Sequence, residues 1–122
     1  MPILSCTVTV AEWRIEYFRE PSGRVPVQEF IDRLPGEEQI ETMVGIDMLR
    51  THGLSLGRPW VTPLGNGLWE LRIRSRRQLR VLYFAHTGKT FVWLHAFVKK
   101  TRQVPQAEIE TATRRMKQYL RR

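Results

Sequence analysis

Cysteine is nearly absent from this sequence, since Cys6 is the only one. No internal disulfide and no cysteine metal cluster can therefore form. The three histidines (His52, His86 and His95) lie far apart and match no zinc-like spacing such as HExxH. An apolar run of about 18 residues, the length of a membrane-spanning helix, is also missing, as are the basic and apolar regions of a secretory signal. These absences predict a cytoplasmic protein without a membrane segment, a metal or a cofactor.

Acidic residues are scarce in the second half of the chain. Residues 1–66 carry six Lys/Arg and nine Asp/Glu, whereas residues 67–122 carry fourteen and three, giving net charges of −3 and +11. A half this basic favours a polyanion or an acidic protein as a partner.

The pattern of apolar residues predicts an α+β fold in a single domain, 1–122. We expect a mainly antiparallel sheet of about four strands, a two-helix N-terminal hairpin and a C-terminal helix. Gly and Pro residues predict a loop over Gly53–Gly67. The predicted strands are an extended segment Cys6–Glu20, then Leu68–Ser75, Leu79–Ala85 and Thr90–Val98. The predicted helices are Val25–Leu34, about Glu37–His52, and a last helix from Pro105 to about Tyr119.

Five arginines fall within nine positions of the stretch WELRIRSRRQLRVLYF. Alternation along the first strand of this hairpin puts Trp69, Leu71 and Ile73 on one face and Glu70, Arg72 and Arg74 on the other. Arg80 begins the second strand, and Arg76 and Arg77 lie at the turn between the strands. Glu70 either pairs with Arg72 or marks a modified active site.

Lys99 and Lys100 end the third strand of the predicted meander, and Arg102 follows. Because the second strand runs back between the other two, the end of the third strand is expected near the end of the first, close to Arg74. Such a cluster can bind phosphate. It can also promote RNA cleavage by stabilising the phosphorane, with a lysine as proton acceptor because crowded cations disfavour the ammonium form. The alternative is a strand edge kept charged against edge-to-edge pairing.

Alternation along the third strand places His95 with Trp93 and Phe97. A hydrogen-bonded core histidine is favoured over a general acid at this position. The four tryptophans and Phe97 are interpreted as core residues, although Phe97, Tyr83 or Trp60 could stack on a nucleobase if it were exposed.

Two segments carry a family resemblance: GLWELRIRSRRQLRVLYF (residues 67–84) and WLHAFVKKTRQVPQAEIETATRRMKQY (residues 93–119). They follow the pattern GLxELR, RxxYF and LxxFxKKxxxxPxxEIxxA in order and spacing. The sequence therefore resembles the phage-related HigB-like toxins of the RelE/ParE superfamily, from bacterial type II toxin–antitoxin systems. The N-terminal part resembles them more loosely.

The resemblance implies a RelE-like toxin that cleaves mRNA, often on the ribosome, and that a HigA-like helix-turn-helix antitoxin neutralises. Its implied catalytic residues are Arg72, Arg80, Lys99 and Lys100, with RNA-binding roles for Arg74, Arg76, Arg77 and Arg102. Relatives of the RelE branch carry a basic residue in place of Glu70 and a tyrosine near the place of Gln106, so the general base stays open. The alternatives are a ParE-type inhibitor of DNA gyrase, which cuts no RNA, and a plain nucleic-acid-binding module.

Overall fold

Residues 12–122 are described by a computed structural model, and within them five strands and three α-helices form. The strands are β1 Arg14–Tyr17, β2 Val61–Gly65, β3 Leu68–Arg74, β4 Gln78–His86 and β5 Thr90–Val98. The helices are α1 Pro26–Asp32, α2 Gly36–His52 and α3 Gln106–Leu120. The α+β prediction is confirmed. Residues 6–11 of the predicted segment Cys6–Glu20 lie outside the described residues.

The five strands form one mixed sheet in the order β1-β5-β4-β3-β2. β1 runs parallel to β5, and the other neighbours are antiparallel. The prediction of about four strands is wrong, because β2 lies within the predicted loop Gly53–Gly67. Pro63 cannot donate a ladder hydrogen bond, and such a residue is tolerated on an edge strand, which is where β2 lies.

The helix pair α1 and α2 follows β1, in the predicted order, but it does not form the two-helix hairpin that the sequence predicted. Pro26 opens α1, where its missing N–H is not needed. Gly53 ends α2 with φ 57°, and a Cβ there would lie 2.2 Å from the indole nitrogen of Trp13. The two helices pack more on the sheet, α1 on β5 and α2 on β3, than on each other. Within residues 12–122, no helix has the length and apolar character needed to cross a membrane.

Each face of the sheet carries its own apolar core. The face under α1 and α2, here the α1/α2 face, buries Leu71, Ile73, Val81, Phe91 and Trp93. The opposite face, here the α3 face, buries Leu68, Leu82, Phe84, Val92 and Leu94 together with Ala112 of α3. The predicted alternation of β3 is therefore confirmed, and Glu70, Arg72 and Arg74 fall in phase with Leu68 on the α3 face.

A β-bulge in β5 changes the predicted orientation of His95. Leu82 of β4 is opposite His95 and Tyr83 is opposite Trp93, so Leu94 is an extra residue in β5. Trp93 therefore belongs to the core of the α1/α2 face, whereas His95 stacks on Phe97 of the α3 face. The expectation that His95 and Trp93 share a face is wrong because simple alternation does not continue through a bulge.

Candidate nucleic-acid interface

Basic side chains gather at the end of the α3 face that β3, β4 and β5 share. Arg72 is paired in register with Arg80, and Arg74 with Gln78. The backbone N–H of Lys99 donates to the carbonyl of Gln78 at 2.7 Å, which brings the end of β5 beside this row. The expected approach of Lys99 to the end of the first hairpin strand is therefore present. We call Arg72, Arg74, Arg80 and Lys99 the basic cluster.

Glu70 lies inside this cluster as a buried counter-charge. Its Oε2 is 3.2 Å from Nε of Arg80 and 3.8 Å from Nζ of Lys99. The side chains of Glu70 and Arg80 are 8% and 6% exposed, so this ion pair is almost fully desolvated. Glu70 therefore pairs with Arg80 and Lys99, and not with Arg72 as the sequence allowed. Oε2 of Glu70 lies within ion-pair distance of both cations but forms no hydrogen bond of good geometry.

The guanidinium of Arg80 binds three neighbouring groups inside the cluster, one of which is Glu70. Nη1 donates to the carbonyl of Leu79 at 3.0 Å, and Nη2 donates to Oε1 of Gln78 at 2.7 Å. Burial lowers the pKa of Arg80 from its ordinary value; Glu70 opposes this shift and neighbouring Arg72 adds to it. Arg80 thus fixes the positions of Glu70 and Gln78 and offers little surface of its own.

A pocket of about 240 Å³ opens beside β3, between the basic cluster and the turn before β2. The exposed side chains of Arg72 and Arg74 line it. The guanidinium of Arg74 lies over the partly buried ring of Trp60, 5.4 Å from the ring centroid. The backbone N–H of Arg72 donates to the carbonyl of Trp60 at 2.8 Å, which ties this aromatic residue to β3. The full lining is Pro59, Trp60, Arg72, Ile73, Arg74, Ser75, Arg77, Gln78 and Arg80.

The remaining predicted site residues are Arg76, Arg77 and Arg102, predicted to bind RNA, and Lys100, predicted to be catalytic. Arg77 is held by Glu38 of α2 through Nη2 at 2.6 Å and Nε at 3.1 Å. The hydrogen bond from Arg77 lowers the pKa of Glu38, and this pair joins the hairpin turn to α2. Arg76, Lys100 and Arg102 are exposed to solvent. The structure thus places Arg72, Arg74, Arg80 and Lys99 together and directs Arg77 towards α2.

His95 lies on the same face and is hydrogen-bonded, as predicted. Its Nε2 is 2.8 Å from Oε1 of Glu108, and Nη1 of Arg115 lies 3.3 Å from its Nδ1. Because a guanidinium only donates, Nδ1 accepts and Nε2 carries the proton given to Glu108. Burial lowers the pKa of His95; Glu108 opposes this shift, and Arg115 and Arg114 add to it. The imidazole therefore connects β5 to α3.

Three features of the candidate site were not evident from the sequence. Trp60 was placed in a loop and interpreted as core; it packs against the core of the α1/α2 face and also lines the pocket. Gln78 lies on the same face of β4 as Arg80, and the spacing of two residues between them is the only sequence signal for its place in the site. The ion pair of Glu70 with Arg80 joins the neighbouring strands β3 and β4, and alternation alone does not specify which cation a carboxylate contacts. Phe97 is a buried core residue, as interpreted, and Tyr83 is buried in the core as well.

These features define a class of protein: an α+β domain with a five-stranded mixed sheet and a basic pocket beside β3. Across residues 12–122, no three His, Cys, Asp or Glu side chains converge to hold a metal ion. Residues 29–117 match the family model described as phage derived protein Gp49-like (DUF891), and the chain belongs to this family. No curated protein matches the chain.

Proposed function

We propose that the protein is the toxin of a type II toxin–antitoxin system, a HigB-like member of the RelE/ParE superfamily that cleaves mRNA without a metal and inhibits translation. The observation that carries the proposal is the pocket in which Arg72 and Arg74 face solvent beside the Glu70–Arg80–Lys99 ion network. Family membership supports it, since Gp49-like proteins are associated with RelE-like toxins.

The exposed arginines suit a phosphate of the RNA backbone. Within residues 12–122, no carboxylate lies within ion-pair distance of Arg72 or Arg74, whereas Arg77 and Arg80 are paired with Glu38 and Glu70. Planar guanidinium groups grip phosphate oxygens in pairs, and the interaction is strengthened by charge. Arg72 and Arg74 are therefore the phosphate ligands of the proposed site, and Arg80 is a positioning residue behind them.

Cleavage at such a site requires no nucleophile from the protein. The RNA 2′-oxygen attacks the adjacent phosphorus, the P–O5′ bond breaks, and a 2′,3′-cyclic phosphate and a 5′-hydroxyl result. The proton lost by the 2′-oxygen goes to a base, and the leaving 5′-oxygen takes one up. Lys99 and Lys100 are the proposed proton-transfer groups at the end of β5. Arg72 and Arg74 stabilise the phosphorane, for which one preorganised donor contributes about 3 kcal/mol.

The same surface suits an acidic antitoxin. Residues 67–122 carry a net charge of +11, and the exposed part of the basic cluster lies in this half. An acidic segment of a HigA-like helix-turn-helix antitoxin would cover Arg72 and Arg74 and exclude RNA. The mRNA would be cut in the cytoplasm, often on the ribosome.

Inducible expression in bacteria tests the nuclease. The wild type is expected to arrest growth and to produce new mRNA 5′ ends, and Arg72→Ala/Arg74→Ala is expected to do neither. Both residues are exposed, so this double variant keeps its fold, unlike a change at buried Arg80. Lys117→Ala/Arg121→Ala removes the same charge from exposed positions at the end of α3 and is expected to stay toxic.

Growth arrest with intact mRNA and a DNA-damage response would overturn the nuclease in favour of a gyrase inhibitor. Equal toxicity of the Arg72→Ala/Arg74→Ala variant and the wild type would remove the pocket from the mechanism. A cell that tolerates the wild-type protein would leave only the plain nucleic-acid-binding alternative.

A further inference from the structure

The charged side chains that line the pocket beside Trp60 are all hydrogen-bond donors. They are Arg72, Arg74, Arg77 and Arg80, and a guanidinium has five donors and no acceptor. Within the lining, no carboxylate and no histidine is present. Arg77 and Arg80 are engaged by Glu38 and Glu70, so the donors open to a ligand are those of Arg72 and Arg74. The hydroxyl of Ser75 donates its proton to the carbonyl of Arg77 and keeps only acceptor capacity. A ligand that meets the two open arginines must therefore present acceptors.

The side-chain amide of Gln78 adds one more donor. Arg80 Nη2 lies 2.7 Å from the atom assigned as Oε1, and a guanidinium only donates, so this atom is the amide oxygen. The oxygen of Gln78 is thereby occupied, and its NH₂ group is left to face a ligand. Because Arg80 is buried and held by Glu70, the orientation of this amide is fixed in advance.

Arg74 and Trp60 supply a planar group and an aromatic ring to the lining of the pocket. The guanidinium of Arg74 lies over the ring of Trp60, 5.4 Å from its centroid, and planar guanidinium groups and aromatic rings are the surfaces on which unstacked RNA bases rest. The pocket volume of about 240 Å³ is sufficient for one nucleobase. A platform, an oriented donor and an adjacent phosphate ligand in Arg72 together form a nucleotide subsite.

We infer that this subsite selects a keto nucleobase, guanine or uracil, over the amino bases adenine and cytosine; the inference rests on the proposed RNA substrate. Guanine presents O6 and N7 and uracil presents O4, all of them acceptors, to the amide of Gln78 and the guanidinium of Arg72. Adenine N6 and cytosine N4 present donors at the corresponding positions and meet donors in the pocket. The base stacks on Arg74 and Trp60, and its own phosphate reaches Arg72.

Binding of uncleavable RNA tests the selection separately from cleavage. The probes are 2′-O-methyl heptanucleotides with three cytosines on each side of a central G, U, A or C, which lack the attacking hydroxyl. Fluorescence anisotropy with the purified full chain gives Kd for each. The G and U probes are expected to bind about tenfold more tightly than the A and C probes. The G-to-U ratio then identifies which keto base is preferred.

Two variants test the residue assigned to the selection. Gln78→Glu replaces the free amide NH₂ with an acceptor oxygen, so the ratio of keto to amino affinity is expected to fall below one, whatever the change in overall affinity. Gln78→Leu is expected to bring that ratio close to one. Gln28→Glu makes the same chemical change at an exposed position of α1 and is expected to keep the wild-type ratio.

Equal Kd values for the four wild-type probes, no binding of any probe, or a keto preference that survives Gln78→Glu would each overturn the subsite. A keto preference in a protein that leaves cellular mRNA intact would support the subsite and overturn the nuclease. Cleavage of mRNA without any base preference in binding would do the reverse.

Discussion

The two ends of the α3 face are buried to a similar degree by different means. At the end covered by α3, Leu82 and Leu94 are fully buried against apolar neighbours. At the other end the buried residues are Glu70 and Arg80, and their burial rests on an ion pair. One sheet face thus combines an apolar core with a desolvated polar cluster on the same three strands.

The difference shows what each end provides. Apolar burial stabilises the fold by roughly 25 cal/mol per Å² of surface removed from water. A buried ion pair gains little net stability, because the desolvation of both charges offsets their attraction. The covered end therefore holds α3 in place. The open end holds Gln78 in the lining of the pocket and Lys99 next to Glu70, at little gain in stability.

Truncating a side chain at the end covered by α3 is expected to lower the free energy of unfolding the most. Leu94→Ala removes a fully buried side chain and leaves a cavity, so the free energy of unfolding should fall by about 3–4 kcal/mol. Urea denaturation followed by tryptophan fluorescence measures this. Arg72→Ala, at the exposed part of the open end, should change it by less than about 0.5 kcal/mol. Similar losses in the two variants would contradict the division.

Removing one charge from the buried pair comes next. Glu70→Gln leaves Arg80 and Lys99 without their counter-charge, and the free energy of unfolding should fall by about 3 kcal/mol. Glu70→Gln/Arg80→Met removes both members and should lose less than Glu70→Gln alone. Arg80→Met alone completes the comparison. A double variant whose loss equals the sum of the losses of Glu70→Gln and Arg80→Met would show that the two charges are not coupled.

The smallest expected effect is a change in the pH dependence of the free energy of unfolding. It concerns His95, which lies at the border between the two ends. Burial lowers its pKa in the folded protein from the ordinary 6.5, so the unfolded chain takes up the proton first as the pH falls. The contribution of His95 is therefore complete above about pH 6.5 and is lost as the pH falls through the lower folded pKa. Unfolding at pH 8 and pH 5.5 should show a larger loss for the wild type than for His95→Gln. Both proteins keep His52 and His86, so equal losses would exclude His95 as the cause.

Much of the fold could be predicted because periodicity and helix ends are local properties. β3 and β5 match their predicted bounds within one residue, and α2 ends before Gly53 as expected. β2 was missed because Pro63 and Gly65 are typical of loops, and an edge position is not visible in a sequence. The bulge at Leu94 was missed because nothing in the composition of β5 marks an extra residue.

The candidate site could be predicted as a location more than as a set of contacts. Alternation put Arg72 and Arg74 on one face, and the strand order put Lys99 near them. Which cation Glu70 contacts depends on side-chain lengths across neighbouring strands, so its pairing with Arg80 required coordinates. The role of Trp60 required them as well, because this residue comes from a segment without periodicity.

The extra residue at Leu94 shifts the alternation of β5 by one position. Upstream, Phe91 and Trp93 face α1 and α2; downstream, that direction passes to Ala96 and Val98. A regular ladder that kept Leu94 would continue the upstream phase and turn Phe97, and Lys99 after it, to the opposite side of the sheet, whereas deletion of Leu94 would leave both on their present side. The bulge thus sets the side of the sheet on which the end of β5 presents its chemistry.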